Sequence, residues 1–131
     1  MGNPKFAVPS LIKLAASNHE ILSVVTNPPK PAGRGRKLMQ SPVAKCVEEL
    51  NLHITEVEYL NDKKTIHILR ELDADIFVVV AYRILPKDVF DIPENGAINL
   101  HGSLLPKYRG AAPIQWSLIN GDQETGLTTF I

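Results

Sequence analysis

The chain has 131 residues, enough for one domain or for part of a larger one, with 44% hydrophobic and 21% charged side chains, the balance of a globular protein. Lys and Arg (14) cancel Asp and Glu (14), so no global field draws the molecule onto nucleic acid or a membrane, and any such contact must come from local clustering. The lone Cys46 excludes an internal disulfide and fits a reducing compartment, while the longest apolar run, Ile76 to Ala81, is too short to span a bilayer.

Pro9 to Ala16 carries Leu11, Ile12, Leu14 and Ala15, which predicts an amphipathic helix with proline in its first turn. Ile21 to Thr26 reads as a strand, and Asn27 to Gln40 as a loop rich in proline, glycine and basic residues. Ser41 is placed to cap a helix with Pro42 at its first position, its apolar stripe formed by Val43, Val47 and Leu50 with Cys46 at the edge. A short strand is expected within Leu52 to Val57. Asn61 or Asp62 then caps a helix presenting Ile66, Leu69 and Leu72 on one face. Ile76 to Ala81 has the continuous apolar pattern of a parallel strand covered on both faces. Ala97 to Leu100 is a further strand, Pro113 to Ile119 a helix stopped by Gly121, and Gly126 to Ile131 a last strand.

Strands alternating with helices specify an α/β domain with a mostly parallel sheet, in which ligands bind outside the carboxyl ends of the strands. The loops after Thr26, Ala81 and His101 lie at that edge. Neither G-x-G-x-x-G nor a Walker sequence is present, so the usual dinucleotide and P-loop signatures are missing. Only Met1 to Val8 precede the first helix, where a parallel sheet normally has a strand. The expectation is an incomplete fold, with a first strand and a C-terminal part missing. No basic stretch followed by an apolar one marks a secretory signal.

The most informative segment is Asn99-Leu100-His101 with the Gly/Pro-rich run to Pro113. Strand alternation sends Asn99 and His101 to one face and Leu100 to the other. An amide and an imidazole together offer a neutral donor and a group able to carry a proton near neutral pH. Alone, such a triplet is more often a strand end bonding its own loop. Lys30, Arg34, Arg36 and Lys37 form a basic cluster with no acidic residue between Glu20 and Glu48, suited to a polyanion. His19, His53, His67 and His101 are scattered without ligand spacing, so no metal is expected.

These segments resemble the N-terminal catalytic domain of the methionyl-tRNA formyltransferases. Met1-Gly2-Asn3-Pro4-Lys5-Phe6-Ala7-Val8-Pro9-Ser10-Leu11 is similar to that family's M-G-T-P-x-F-A-V-P-S-L, which there follows a first strand. Pro31 to Leu38 matches a P-A-G-R-G-R-K-L loop associated with the acceptor end of initiator tRNA. Ala81 to Pro86 is similar to A-Y-G-x-I-L-P beside the folate pterin, but Arg83 stands where the family has glycine and the loop is one residue shorter. Asn99 to Pro113 matches the catalytic strand and folate loop, and Gly121-Asp122 to Thr125-Gly126 the G-D-x-x-T-G turn. Glycinamide ribonucleotide, formyltetrahydrofolate-dehydrogenase and sugar-nucleotide relatives share the Asn-x-His and S-L-L-P core. The basic loop with R-G-A-A-P-I-Q favours the tRNA enzyme.

The resemblance implies a Rossmann-like formyltransferase fold, with residues 1–131 a partial catalytic domain and the C-terminal tRNA-binding domain absent. It implies transfer of a formyl group from 10-formyltetrahydrofolate to the α-amine of initiator methionyl-tRNA, without metal. Asn99 and His101 would be catalytic. Ser103, Leu104, Leu105, Pro106, Tyr82 and Ile84 would contact the folate, and Arg34, Arg36 and Lys37 the tRNA. The family's histidine is oriented by an aspartate expected beyond Ile131, which makes this stretch alone a poor catalyst. A monomer is expected, in the bacterial cytoplasm or an organellar matrix, with no membrane partner. The alternatives are a sugar-nucleotide formyltransferase and a folate-binding remnant without turnover.

Overall fold

The computed structural model describes residues 1–33 and 35–131. A 3-10 turn at Lys5–Ala7 leads into α1 (Val8–Ala15), followed by β1 (Val24–Thr26), β2 (Lys30–Ala32), β3 (Lys37–Met39), α2 (Pro42–Glu49) and β4 (Ile54–Glu56). Then come α3 (Lys63–Glu71), β5 (Phe77–Val80), α4 (Lys87–Phe90), β6 (Ala97–His101), α5 (Pro113–Ile119) and β7 (Thr128–Phe130).

β1 pairs in parallel with β4, and β5 in parallel with β6, whose other edge takes β7 antiparallel. Met1 and Gly2 join these two groups. The Met1 amine donates to the Val78 carbonyl (2.6 Å), Val80 N donates to the Met1 carbonyl (2.9 Å), and Gly2 N donates to the Val25 carbonyl (3.1 Å). The order across the sheet is therefore β4, β1, Met1–Gly2, β5, β6, β7. Two residues stand where the sequence called for a whole strand. Beside them lies a cavity of about 600 Å³, lined among others by Leu11, Leu14, Val25, Phe77, Val78 and Ile98. Within Ile21 to Thr26 only Val24–Thr26 is regular strand, the stretch that pairs with Ile54–Glu56.

Both faces of the sheet are covered, as the apolar runs require. Val25, Phe77 and Val79 point into a cluster with Val57, Leu60, Leu69 and Val89, on the side of α3 and α4. Val24 and Val80 point the opposite way, against Ala7 of the 3-10 turn, Leu11 of α1 and Val43 and Val47 of α2. The period of two along each strand places one element against both layers.

Helix boundaries follow local chemistry. The Ser41 hydroxyl accepts from Ala44 N (3.0 Å) and Pro42 occupies the first helical turn, as the sequence predicts. Asp62 sits at the N-cap of α3, but its side chain makes no capping bond. Two readings are corrected. Cys46 is 5% exposed and lies in the core that α2 shares with α1 and the sheet, whereas Leu50 at the helix end is 36% exposed. The Asn27–Gln40 segment holds an antiparallel hairpin, Lys30 opposite Met39 and Ala32 opposite Lys37, turned by Gly33 (φ 72°) and Gly35 (φ 92°). The short α4 lies in a stretch to which the sequence reading assigned no element; Lys87 and Asp91, four apart, pair on its exposed face.

Candidate active site

The site forms where β6 ends. Asn99 faces Phe130 and His101 faces Thr128 across the antiparallel ladder, so the two polar side chains share one face. Leu100 packs on the other, against the α1/α2 core. Both polar residues are half-buried, and among the described residues no hydrogen bond ties down the Asn99 amide. That leaves a donor and an acceptor free for a ligand.

His101 is held. Its Nε2 lies 2.8 Å from the carbonyl of Tyr108. A carbonyl only accepts, so Nε2 carries the hydrogen and Nδ1 remains as the nitrogen that can take or release a proton.

The loop from Gly102 to Ala112 folds on its own polar groups. Ser103 is fully buried; its hydroxyl donates to the Lys107 carbonyl (2.7 Å), and its carbonyl accepts from Thr128 Oγ1 (2.7 Å). Leu105 N donates to the same threonine oxygen (3.1 Å). Thr128 thus ties the loop to β7 through two bonds. Gly126 gives Leu104 its place, since a Cβ there would lie 2.6 Å from Leu104 Cδ2. The polar groups of Ser103 and the Leu105 amide are used internally. What the loop offers outward is the Leu104 side chain, 52% exposed, with Pro106 beside it.

The loop after β5 is fixed differently. Ala81 turns it with φ 46°, and Arg83 folds back over the Tyr82 ring, 5.1 Å from its centroid. The guanidinium donates to the carbonyls of Glu58 (2.5 Å) and Val57 (2.6 Å) and to the Tyr82 hydroxyl (2.9 Å). Tyr82 packs against the α3/α4 core, while Ile84 is 95% exposed. The side chain standing in place of a glycine therefore staples this loop to the end of β4.

Arg36 and Lys37 lie exposed on the hairpin with Lys30. Arg34 falls outside the described residues. Sequence reasoning missed Tyr108, Asn120, Asp122 and Thr128 as parts of the site. The Tyr108 hydroxyl donates to Asp122 Oδ2 (2.8 Å) and accepts from Asn120 Nδ2 (3.0 Å). That hydroxyl, with Lys107 Nζ at 3.4 Å, holds the Asp122 carboxyl below the usual carboxylate range. The only sequence signal was the Gly121-Asp122 turn. Among the described residues no His/Cys/Asp/Glu group is arranged to hold a metal, and no helix is long and apolar enough to cross a membrane.

Known proteins resemble this chain in sequence and in fold. The sequence profile described as formyl transferase matches residues 1–131. A methionyl-tRNA formyltransferase of Bacteroides thetaiotaomicron is 51% identical over 130 residues, covering 99% of this chain and 40% of its own length. One of Clostridioides difficile is 52% identical over 130 residues, covering 98% and 42%. The chain thus spans about 40% of the length of these curated relatives. In fold it resembles a phosphoribosylglycinamide formyltransferase from Streptococcus pneumoniae, with TM-score 0.72 and 16% identity over 98% of this chain and 68% of that one. A Bacillus halodurans protein of the same description gives TM-score 0.70 at 19% identity, covering 98% and 67%.

Proposed function

This chain belongs to the formyl transferase family, and from that premise we propose that it carries the formyl-transfer centre of an enzyme acting on the α-amine of initiator methionyl-tRNA, with 10-formyltetrahydrofolate as donor. The observation that carries the reading is the unengaged Asn99 amide beside the anchored His101 imidazole, at the carboxyl edge of β6. The identity of about half to curated methionyl-tRNA formyltransferases supports the choice of acceptor. Residues 1–131 are then part of a catalytic domain, and further tRNA-binding parts lie elsewhere in the enzyme. We place it in the bacterial cytoplasm, or in an organellar matrix if its source is eukaryotic, as a monomer.

Attack of the amine nitrogen on the formyl carbon forms a C–N bond and puts negative charge on the formyl oxygen. Asn99 Nδ2–H and a protonated His101 stabilise that charge, each donor contributing roughly 3 kcal/mol in comparable acyl-transfer sites. His101 Nδ1 delivers its proton to the departing N10 of the folate as the second C–N bond breaks, and the amine proton restores it. A free α-amine has a pKa of about 8, so a useful fraction is neutral at pH 7 without a strong base. Exposed Leu104 and Ile84, with Pro106, Leu105 and Tyr82, give apolar surface for the folate rings, and buried Ser103 shapes the loop. Arg34, Arg36 and Lys37 meet tRNA phosphates as charges without base readout.

The test is a chimera in which this chain replaces the matching residues of the Bacteroides thetaiotaomicron relative. Formyl transfer to methionyl-tRNA is expected, falling ~100-fold or more in Asn99→Ala and in His101→Ala. Transfer that survives both substitutions overturns the assignment. Reduced-folate binding without transfer in the unsubstituted chimera would mean a binding remnant instead.

A further inference from the structure

Tyr108 is a bulky residue in a left-handed backbone conformation, φ 53°, seven residues beyond the imidazole it holds. Such a conformation costs roughly 1–2 kcal/mol for an L-residue, so something must hold it. Two side-chain bonds do so: the hydroxyl lies between Asp122 Oδ2 and Asn120 Nδ2, both at the end of α5. Asn120 is the C-cap of that helix, its N–H bonded to the Trp116 carbonyl, and Asp122 N donates to the Ser117 carbonyl (3.0 Å). The clamp therefore rests on a regular element. Asp122 is mostly withdrawn from solvent, its side chain 18% exposed, with Lys107 Nζ at 3.4 Å on its outer side.

We infer that Tyr108, clamped by Asp122 and Asn120, is a positioning residue whose carbonyl fixes the ring orientation of His101 and reserves Nδ1 for proton transfer. The inference deepens the functional reading and rests on it for the use made of His101. Turning Tyr108 out of the left-handed region would swing its carbonyl away and free the imidazole to rotate. The α5 end, the Gly121-Asp122 turn and the reacting strand are thereby joined in one chain of contacts. This also gives Asp122 a task distinct from pairing directly with the histidine.

The experiment uses the chain labelled with ¹⁵N in histidine. Its readout is the His101 Nε2–H proton, which a hydrogen bond to a carbonyl shields from exchange with water. The unsubstituted chain should show that proton, and Asp122→Asn should keep it, since the amide oxygen still accepts from the tyrosine. Asp122→Ala and Tyr108→Phe should exchange it at least tenfold faster, with the remaining spectrum unchanged. Should Asp122→Ala fail to fold, Tyr108→Phe, which removes a single hydroxyl, carries the test. In the chimera, Tyr108→Phe should lower kcat about tenfold with the KM for folate unchanged. Unaltered protection in Tyr108→Phe, a wild-type proton on Nδ1 instead of Nε2, or unaltered kcat despite lost protection would each overturn the inference. A chimera inactive before any substitution would count against formyl transfer alone, because the exchange measurement needs no substrate.

Discussion

At the scale of single residues, the site depends on side chains that do no chemistry. Thr128 shows this best, because its one hydroxyl donates to the Ser103 carbonyl and accepts from the Leu105 amide. Thr128→Val keeps the shape and β-branching but leaves both loop groups without their partner. Stranding buried backbone groups costs about 1–3 kcal/mol. We expect urea unfolding to show a loss in that range, with folate affinity in the chimera falling as Leu104 loses its fixed position. A midpoint unchanged within error would mean that water replaces the threonine and that the loop is held elsewhere. Of this layer the sequence disclosed the shared face of Asn99 and His101 at a strand end and the outline of the loop that follows. Thr128 and Tyr108 were hidden because their roles come from the antiparallel register of β7 and from a left-handed backbone, neither of which has a local signature.

Among the elements, those with a strong periodic pattern or explicit caps were readable: α2 behind Ser41-Pro42, β5 as an unbroken apolar run, and α5 from Pro113 to Ile119. The β2/β3 hairpin was not, because Pro31 argues against a strand and both strands are exposed throughout, so no core face left an alternating pattern. A hairpin presents Lys30, Arg36 and Lys37 on a defined scaffold, where a loop would scatter them. Arg36→Glu with Lys37→Glu in the chimera should weaken tRNA binding and reduce the steepness of its salt dependence by roughly two phosphate contacts. Binding of free folate should be unchanged. An unaltered salt slope would remove the hairpin from the tRNA interface. The element that joins the sheet is shorter still. A Cβ on Gly2 would lie 2.8 Å from the Val80 carbonyl oxygen and 2.9 Å from Ala7 Cβ. Neither is the end of a flexible side chain, so Gly2→Ala must push the Met1–Gly2 rung out of the sheet. A loss of about 1–3 kcal/mol is expected, the range of overpacked cores. A wild-type urea midpoint in that variant would mean that the rung contributes nothing.

For the whole molecule, the two halves of the sheet meet through that rung and the cavity beside it, and the meeting point carries a titratable group. In the 131-residue chain prepared with a free amine at Met1, burial lowers that amine from 8.0 to about 6, while it donates to the Val78 carbonyl. A cation with a depressed folded pKa binds fewer protons folded than unfolded between those two values, so stability must rise with pH across that window. The contribution is complete above pH 8, falls away as pH drops toward 6, and is constant below, a span of about 2–3 kcal/mol. The decisive comparison is with the chain acetylated at Met1. Acetylation replaces the amine by an amide N–H, which donates to the same carbonyl at no cost in charge, and the methyl enters the apolar slot. Urea unfolding from pH 6 to 8 should show a slope in the free chain that acetylation removes, with the acetylated form the more stable at pH 6. Equal slopes would mean that the amine is hydrated and that the sheet is not continuous through Met1.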